Sequence, residues 1–266
     1  MARSPIPPRP RNRVARANRA YGVGTAMIVG ALALMSLTVW VFRPPTLDPD
    51  TLCPTDRAVA AHTLVIVDRT DRWNPNVGEV LVDLLEDARD DTQRMEKFSI
   101  VSLDSQMTTR PLFSVCNPGE PNFVSDIYRG RRYTEREFEQ RFVGAAEEVI
   151  EQVRRPSEAQ SSPIVEYVRR WLRRDDFDAS VSNRHLILIS DMRQNSDQLN
   201  VYATADREAL APLVEREFGE AGRDVNFDVY FVNHGHDYNV SENDIRDAWA
   251  NAFQTINARY EWRRLD

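Results

Sequence analysis

A run of 22 residues without a charged side chain, Tyr21–Phe42, is the feature that most constrains this chain. As a helix it would be about 33 Å long, enough to cross a hydrocarbon core of roughly 30 Å. Arginines precede the run and acidic residues follow it, which predicts a cytoplasmic N-terminus and a domain outside the membrane. A cleaved signal peptide is disfavoured, because the run exceeds the roughly 7–15 residues of a signal-peptide core and no A-x-A-like site follows.

These features predict a single-pass protein of the inner (cytoplasmic) membrane whose C-terminal domain is periplasmic, or otherwise extracytoplasmic. The predicted parts are a basic cytoplasmic tail, a transmembrane signal anchor, a linker and one folded domain, at residues 1–20, 21–42, 43–59 and 60–266.

Charge limits the partners of the outer part. Residues 44–266 contain all 41 acidic residues and 27 of the 34 basic ones, a net charge of −14. A surface this acidic repels nucleic acids, so we expect no nucleic acid as a partner.

Strand-like and helix-like segments alternate through the outer part. Three of the strand candidates are apolar without strict alternation, as expected when a sheet is covered on both faces. The pattern predicts an α/β fold, a Rossmann-like, mostly parallel sheet flanked by helices on both faces. The predicted strands are 63–68, 98–103, 111–115, 186–190 and 227–232, and the predicted helices are about 76–94, 134–154, 163–173, 205–220 and 241–257. Residues 117–133 are predicted to form a long irregular connection that could be part of a binding surface.

The only two cysteines, Cys53 and Cys116, both lie in the part predicted to be outside. In an oxidising compartment an even pair in one domain favours a disulfide. Two unpaired buried thiols are the alternative, and spacing alone leaves both open.

Polar residues collect where the predicted strands end. In open parallel sheets, ligands bind beyond the carboxyl ends of the strands. Carboxylates and hydroxyls on neighbouring loops there are hard oxygen donors suited to Mg²⁺ or Mn²⁺. The candidate metal ligands are Asp68, Thr70, Ser162 and Asp191, with Asp71 and Ser161 as further possibilities.

Over residues 60–260 these motifs resemble a von Willebrand factor type A domain. The metal-ion-dependent adhesion site of that family reads D-x-S-x-S, then a Thr, then an Asp. Asp68 and Thr70 in "DRTDR" match the first two positions, Ser162 in "SPIVEYV" matches the Thr, and Asp191 in "LILISDM" matches the closing Asp. Arg72 stands where the second Ser is expected, and a guanidinium cannot ligate a cation.

The resemblance implies a protein-interaction module in which Mg²⁺ or Mn²⁺ engages a carboxylate of the partner. One alternative is a metal-dependent hydrolase, in which the cation activates water. Against an enzyme, the chain contains neither a Gly-rich phosphate-binding loop nor G-x-S-x-G. The other alternative is a metal-free structural subunit of an envelope complex.

Overall fold

The computed structural model describes residues 12–41, 45–70, 75–103, 108, 110–155, 161–202, 207–233 and 240–265. The chain divides into two compact units, Met1–Pro44 and Pro45–Asp266. In the first unit, α1 spans Asn12–Val41. Within the described ranges, no helix has the length and apolarity required of a membrane span. The signal anchor predicted at 21–42 stays a prediction.

Six strands of the second unit form one sheet in the order β3-β2-β1-β4-β5-β6. All neighbouring pairs are parallel except β2 and β3, which pair antiparallel at one edge. The strands are β1 Ala61–Asp68, β2 Lys97–Leu103, β3 Phe113–Cys116, β4 Asn183–Ser190, β5 Val225–Val232 and β6 Arg259–Leu265. The mostly parallel sheet predicted from the sequence is confirmed.

Helices cover the sheet on both faces, as predicted. One face packs against α6 (Ile164–Leu172), α7 (Leu210–Gly222) and α8 (Glu242–Thr255). The other packs against α2 (Pro75–Asp90), a π-helical segment (Arg136–Gly144) and α5 (Ala145–Val153). Before α5 the chain forms α3 (Phe123–Arg129), α4 (Arg131–Glu135) and the π-helical segment (Arg136–Gly144), which continues into α5 (Ala145–Val153).

The domain has two hydrophobic cores, one on each face of the sheet, and they explain why the strands are apolar. Along β1, Leu64 and Ile66 point into one core while Val65 and Val67 point into the other, and all four are fully buried. A strand with both faces buried needs apolar residues at every position, so its sequence loses the alternation of a half-exposed strand.

Two parts of the fold differ from the prediction. The edge strand β6 was not predicted, because "RYEWRRL" is largely charged. Tyr260 and Trp262 pack against one core, and Leu265 is buried in the other. The prediction of an irregular connection over 117–133 was wrong at 123–129, which form α3, and at 131–133, which begin α4. A capping box between Asn122 and Ser125 begins this helix.

The disulfide between Cys53 and Cys116 is confirmed. It attaches residues 45–59 to β3, where the backbone N–H of Cys116 also donates to the carbonyl of Thr51 at 2.8 Å. Leu52 is fully buried. The compact unit therefore begins at Pro45, fifteen residues before the domain boundary expected at residue 60.

His62 is a buried titratable group at the start of β1. Its Nδ1 lies 2.7 Å from the carbonyl oxygen of Asp176, and its Nε2 lies 2.8 Å from Oγ of Ser99. Because a carbonyl only accepts, the neutral ring carries its proton on Nδ1 and accepts from Ser99. Burial is the main reason that the pKa of His62 is lowered to about 4.

We expect His62 to make the domain lose stability as the pH falls from about 6.5 towards 4. In that window the unfolded chain binds a proton that the folded chain excludes, and the full effect is about 3 kcal/mol. Urea denaturation of the wild type and of His62→Gln at several pH values measures it. The difference in unfolding free energy between them should change with pH inside this window and level off below it; a difference independent of pH contradicts the account.

Candidate functional site

The candidate site lies at the carboxyl edge of the sheet, between β1 and β4. Strand order reverses there, because the chain leaves β1 towards β2 on one side and leaves β4 towards β5 on the other. Such a switch point opens a crevice beyond the strand ends, where ligands of open α/β sheets bind. Asp68 is the last residue of β1, and Ser190 is the last residue of β4.

Four hydrogen bonds converge on the carboxylate of Asp68. Its Oδ1 accepts from the backbone N–H of Thr70 at 3.1 Å and from Oγ1 of Thr70 at 2.7 Å. Its Oδ2 accepts from Oγ of Ser162 at 2.8 Å and from Oγ of Ser190 at 2.7 Å. Asp68 is only 4% exposed, and its three partners are buried. Three separate chain segments are therefore fixed around one carboxylate.

Backbone contacts hold the loops that carry these hydroxyls. The backbone N–H of Ser162 donates to the carbonyl of Asn195, and that of Asn195 donates to the carbonyl of Ser162, both at 2.9 Å. This pair ties the loop before α6 to the loop after β4. The buried side chain of Gln194 accepts from the backbone N–H of Val165 at 2.9 Å, which satisfies a donor in the first turn of α6.

Met192, in the loop after β4, adopts a left-handed backbone conformation with φ 57°. This conformation costs a non-glycine residue about 1–2 kcal/mol and persists only where the surroundings fix it. Here Nε1 of Trp249 donates to the carbonyl of Met192 at 2.8 Å, and the Met192 N–H donates to Oγ of Ser190 at 2.8 Å. These two contacts therefore hold Met192 in its left-handed conformation beside the end of β4.

Asp191 is paired with Arg193. Its Oδ1 accepts from the backbone N–H of Arg193 at 3.0 Å, and its Oδ2 lies 3.2 Å from Nε of the same residue. Both side chains are buried, and Nη1 of Arg193 also donates to the carbonyl of Val240 at 3.2 Å. The second predicted carboxylate thus has a fixed positive charge beside it.

Of the two further candidate ligands, Ser161 and Asp71, the structure describes only Ser161. Ser161 is exposed and lies next to Ser162. Asp71, and Arg72 at the departure from the family motif, lie outside the described residues. Ser190 was not predicted, although its position as a polar residue ending the apolar strand "LILIS" and preceding Asp191 was a usable signal.

The oxygens around Asp68 fit a divalent cation such as Mg²⁺ or Mn²⁺. The hydroxyls of Thr70 and Ser162 each donate their one hydrogen to Asp68 and keep their oxygen lone pairs for a metal. These are the hard donors that both ions prefer. Over the described part of the chain, no three His, Cys, Asp or Glu side chains form a metal-binding group. A cation here would therefore depend on hydroxyl oxygens and water in addition to carboxylate.

A groove of about 570 Å³ lies towards the opposite ends of the strands. Its floor includes Ala61 and Thr63 at the start of β1 and Asn183 and His185 at the start of β4, and α2 forms one wall. This cavity is therefore separate from the Asp68 site.

Comparisons with known proteins concern the fold. No protein-family model and no curated protein matches the chain. Solved structures with a similar fold include an aerotolerance-related membrane protein from Bacteroides fragilis, at 10% identity and TM-score 0.40, over 77% of this chain and 92% of that one. The PilB minor pilin from Streptococcus sanguinis, as its D319A mutant, matches at 8% identity and TM-score 0.47, over 82% and 58%. The manganese-loaded TRAP protein from Plasmodium vivax matches at 11% identity and TM-score 0.36, over 78% and 69%.

The sheet itself defines the class of protein. Its strand order, its antiparallel edge strand and its helices on both faces make a mixed α/β domain with a Rossmann-like sheet, which is consistent with the von Willebrand factor type A-like fold expected from the sequence.

Proposed function

We propose that this chain is a membrane-anchored, extracytoplasmic protein-interaction module that engages a carboxylate of its partner through Mg²⁺ or Mn²⁺ at Asp68. The observation that carries the proposal is the convergence of Thr70, Ser162 and Ser190 on Asp68 at the switch point of the sheet. The acidic net charge of residues 44–266 and the uncharged run at 21–42 support the location and the exclusion of nucleic acid.

Charge explains how the site would select a carboxylate. Asp68 contributes one negative charge, while Asp191 and Arg193 balance each other. Asp68, Thr70 and Ser162 would hold the cation directly or through water. A bound divalent cation would supply positive charge in excess of this single negative charge, which an Asp or Glu of the partner would neutralise. Ser190 positions Asp68 by donating to its Oδ2.

The two alternative functions, a metal-dependent hydrolase and a metal-free structural subunit, place different requirements on the structure. A metal-dependent hydrolase needs a general base beside a substrate cleft, whereas the 570 Å³ groove lies at the other end of the strands. A metal-free structural subunit is favoured by the Asp191–Arg193 pair, because a fixed guanidinium already supplies positive charge near the strand end. The experiment below separates the metal-free subunit from the proposed module.

The proposal is tested by photo-cross-linking on membranes of the host organism. A benzophenone amino acid at exposed Ser161 lies beside the site, and one at exposed Asn183 serves as the control at the opposite end of β4. We expect a protein adduct from position 161 in Mg²⁺ that EDTA removes and that Ser162→Ala also removes. An adduct insensitive to both indicates the metal-free subunit, and an adduct from Asn183 alone rejects this edge as the interaction site.

A further inference from the structure

The two edges of the sheet differ in what is attached to them. At the β3 edge, a disulfide and a hydrogen bond from the backbone N–H of Cys116 to the carbonyl of Thr51 attach residues 45–59. At the other edge, β5 is the only strand that pairs with β6 in the part of the chain that the structure describes. An open edge strand presents a row of N–H and C=O groups to which a further strand can pair. The β6 edge is therefore suited to strand addition.

β6 is a regular strand along its whole length. All seven of its residues, Arg259–Leu265, pair with β5 in a continuous parallel register. Its side chains alternate between the two faces of the sheet, and on one face Tyr260 and Trp262 pack against a core. On the other face, three charged side chains are exposed: Arg259, Glu261 and Arg263. The backbone is therefore held extended by β5 while its charged side chains remain in solvent.

The exposed charges of β6 alternate in sign along one face, in the order Arg259, Glu261, Arg263. Charged side chains usually protect an edge strand, because an added strand leaves them unpaired or beside a like charge. Here the sequence is complementary to itself. Antiparallel pairing of two copies, centred on Trp262, places Glu261 of each copy opposite Arg263 of the other. Opposite charges in directly opposed positions stabilise a strand pair.

Charge also selects this register over its neighbours. A displacement of one residue would oppose side chains from different faces of the sheet. A displacement of two residues in one direction would place Glu261 opposite Glu261 and Arg259 opposite Arg263, and in the other direction would place Arg263 opposite Arg263. Like charges in directly opposed positions are destabilising. The register centred on Trp262 avoids these contacts and pairs the whole strand.

Contacts within one copy already hold the two central charges beside the strand. Nη2 of Arg263 donates to Oε2 of Glu261, and Nη1 of Arg263 donates to the hydroxyl of Tyr230 at 2.7 Å. The side chains of Arg263 and Glu261 are still 49% and 64% exposed. A second copy in the proposed register would therefore join two such pairs into one cluster of four charges of alternating sign.

We propose that β6 pairs antiparallel with β6 of a second copy of this chain, centred on Trp262, so that two six-stranded sheets join into one. The interface is two-fold symmetric, because each Glu261 faces Arg263 of the other copy. β5 lies between β4 and β6, so the residues around Asp68 take no part in it. The inference goes beyond the proposed function and depends on neither its metal site nor its anchor.

Disulfide cross-linking of full-length chains in detergent tests the register. Chains with Glu261→Cys are mixed with chains with Arg263→Cys, because these positions face each other in the proposed pair. Directly opposed residues of antiparallel strands lie within disulfide range, so the mixture should form a cross-linked dimer at least about tenfold faster than either variant alone. The matched control mixes Glu215→Cys with Arg223→Cys, at exposed positions in and just after α7, and should form no dimer.

Charge changes in the same assay test the contact that selects the register. In the mixed pair, Arg263 of the Glu261→Cys chain faces Glu261 of the Arg263→Cys chain. Adding Arg263→Glu to the first chain opposes two glutamates, so cross-linking should fall to the rate of the single variants. Adding Glu261→Arg to the second chain as well should restore the faster rate, which also shows that both altered chains are folded. Arg259→Glu in the first chain makes the same change of charge opposite Leu265 and should keep the cross-link.

Three results would overturn the proposal. Equal rates in the mixture and in either variant alone would mean that the cysteines meet by collision or in another register. A cross-link that survives Arg263→Glu in the first chain would mean that the opposed charges do not hold the two strands together. No cross-link from chains whose thermal midpoints match the wild type would mean that β6 does not pair with a second copy.

Discussion

Replacing Cys53 and Cys116 together by serine is expected to lower the unfolding free energy of the domain by about 4 kcal/mol. The disulfide joins residues 63 positions apart, and closing a loop of this length restricts the unfolded chain by about that amount. For a domain of this size the loss corresponds to a fall in the thermal midpoint of roughly 8–16 °C.

Urea denaturation of the fragment 45–266, which contains both cores and the disulfide, measures this loss. Reductant should bring the wild type to the stability of the double variant and leave the variant unchanged. Equal stability of the oxidised wild type and the variant contradicts the prediction. The substitution should also loosen residues 45–59, because the disulfide attaches them to β3.

Asp68→Ala is expected to cost about 4 kcal/mol of stability even in EDTA. The substitution leaves the buried hydroxyls of Thr70, Ser162 and Ser190 without the acceptor that they share. An unsatisfied buried donor costs about 1–3 kcal/mol, and three donors relax only in part. This loss is separate from any metal effect, because the measurement is made without metal.

Asp228→Ala is the matched control for Asp68→Ala. Asp228 is half-buried, lies 3.1 Å from Nε2 of His185 and is outside the site. Its removal frees one partner instead of three, so the loss of stability in EDTA should be clearly smaller. Equal losses for the two variants would contradict the role given to the hydroxyl cluster.

The parts of the fold that were predicted from sequence are those in which one signal dominates. The short apolar runs that became β1, β4 and β5 favoured strands covered on both faces, and their alternation with helices predicted the parallel sheet. The edge strand β6 was missed because it is held by backbone pairing to β5, which its charged sequence does not show. Residues 45–59, predicted as a linker, show no periodic pattern, and a disulfide attaches them to β3.

The candidate site was predictable in part for a similar reason. Asp68 was predicted from its position at a strand end and Ser162 from its position in the loop before α6, and the structure joins them by a hydrogen bond. Ser190 was missed because it was counted as the last residue of an apolar strand, and only Asp191 after it was considered as a ligand. Asp191 and Arg193 pair on either side of Met192, whose left-handed backbone is held by hydrogen bonds to Trp249 and Ser190, and the sequence shows neither contact.

The central claim, that the Asp68 site binds a divalent cation, is tested most directly by titrating the 45–266 fragment with Mn²⁺ and following free Mn²⁺ by electron paramagnetic resonance. The account predicts one bound ion per domain that Mg²⁺ displaces and that Thr70→Val with Ser162→Ala abolishes. At 100 times its dissociation constant the ion should add roughly 2.7 kcal/mol of stability. No bound Mn²⁺, or binding that survives the paired substitution, would contradict the claim.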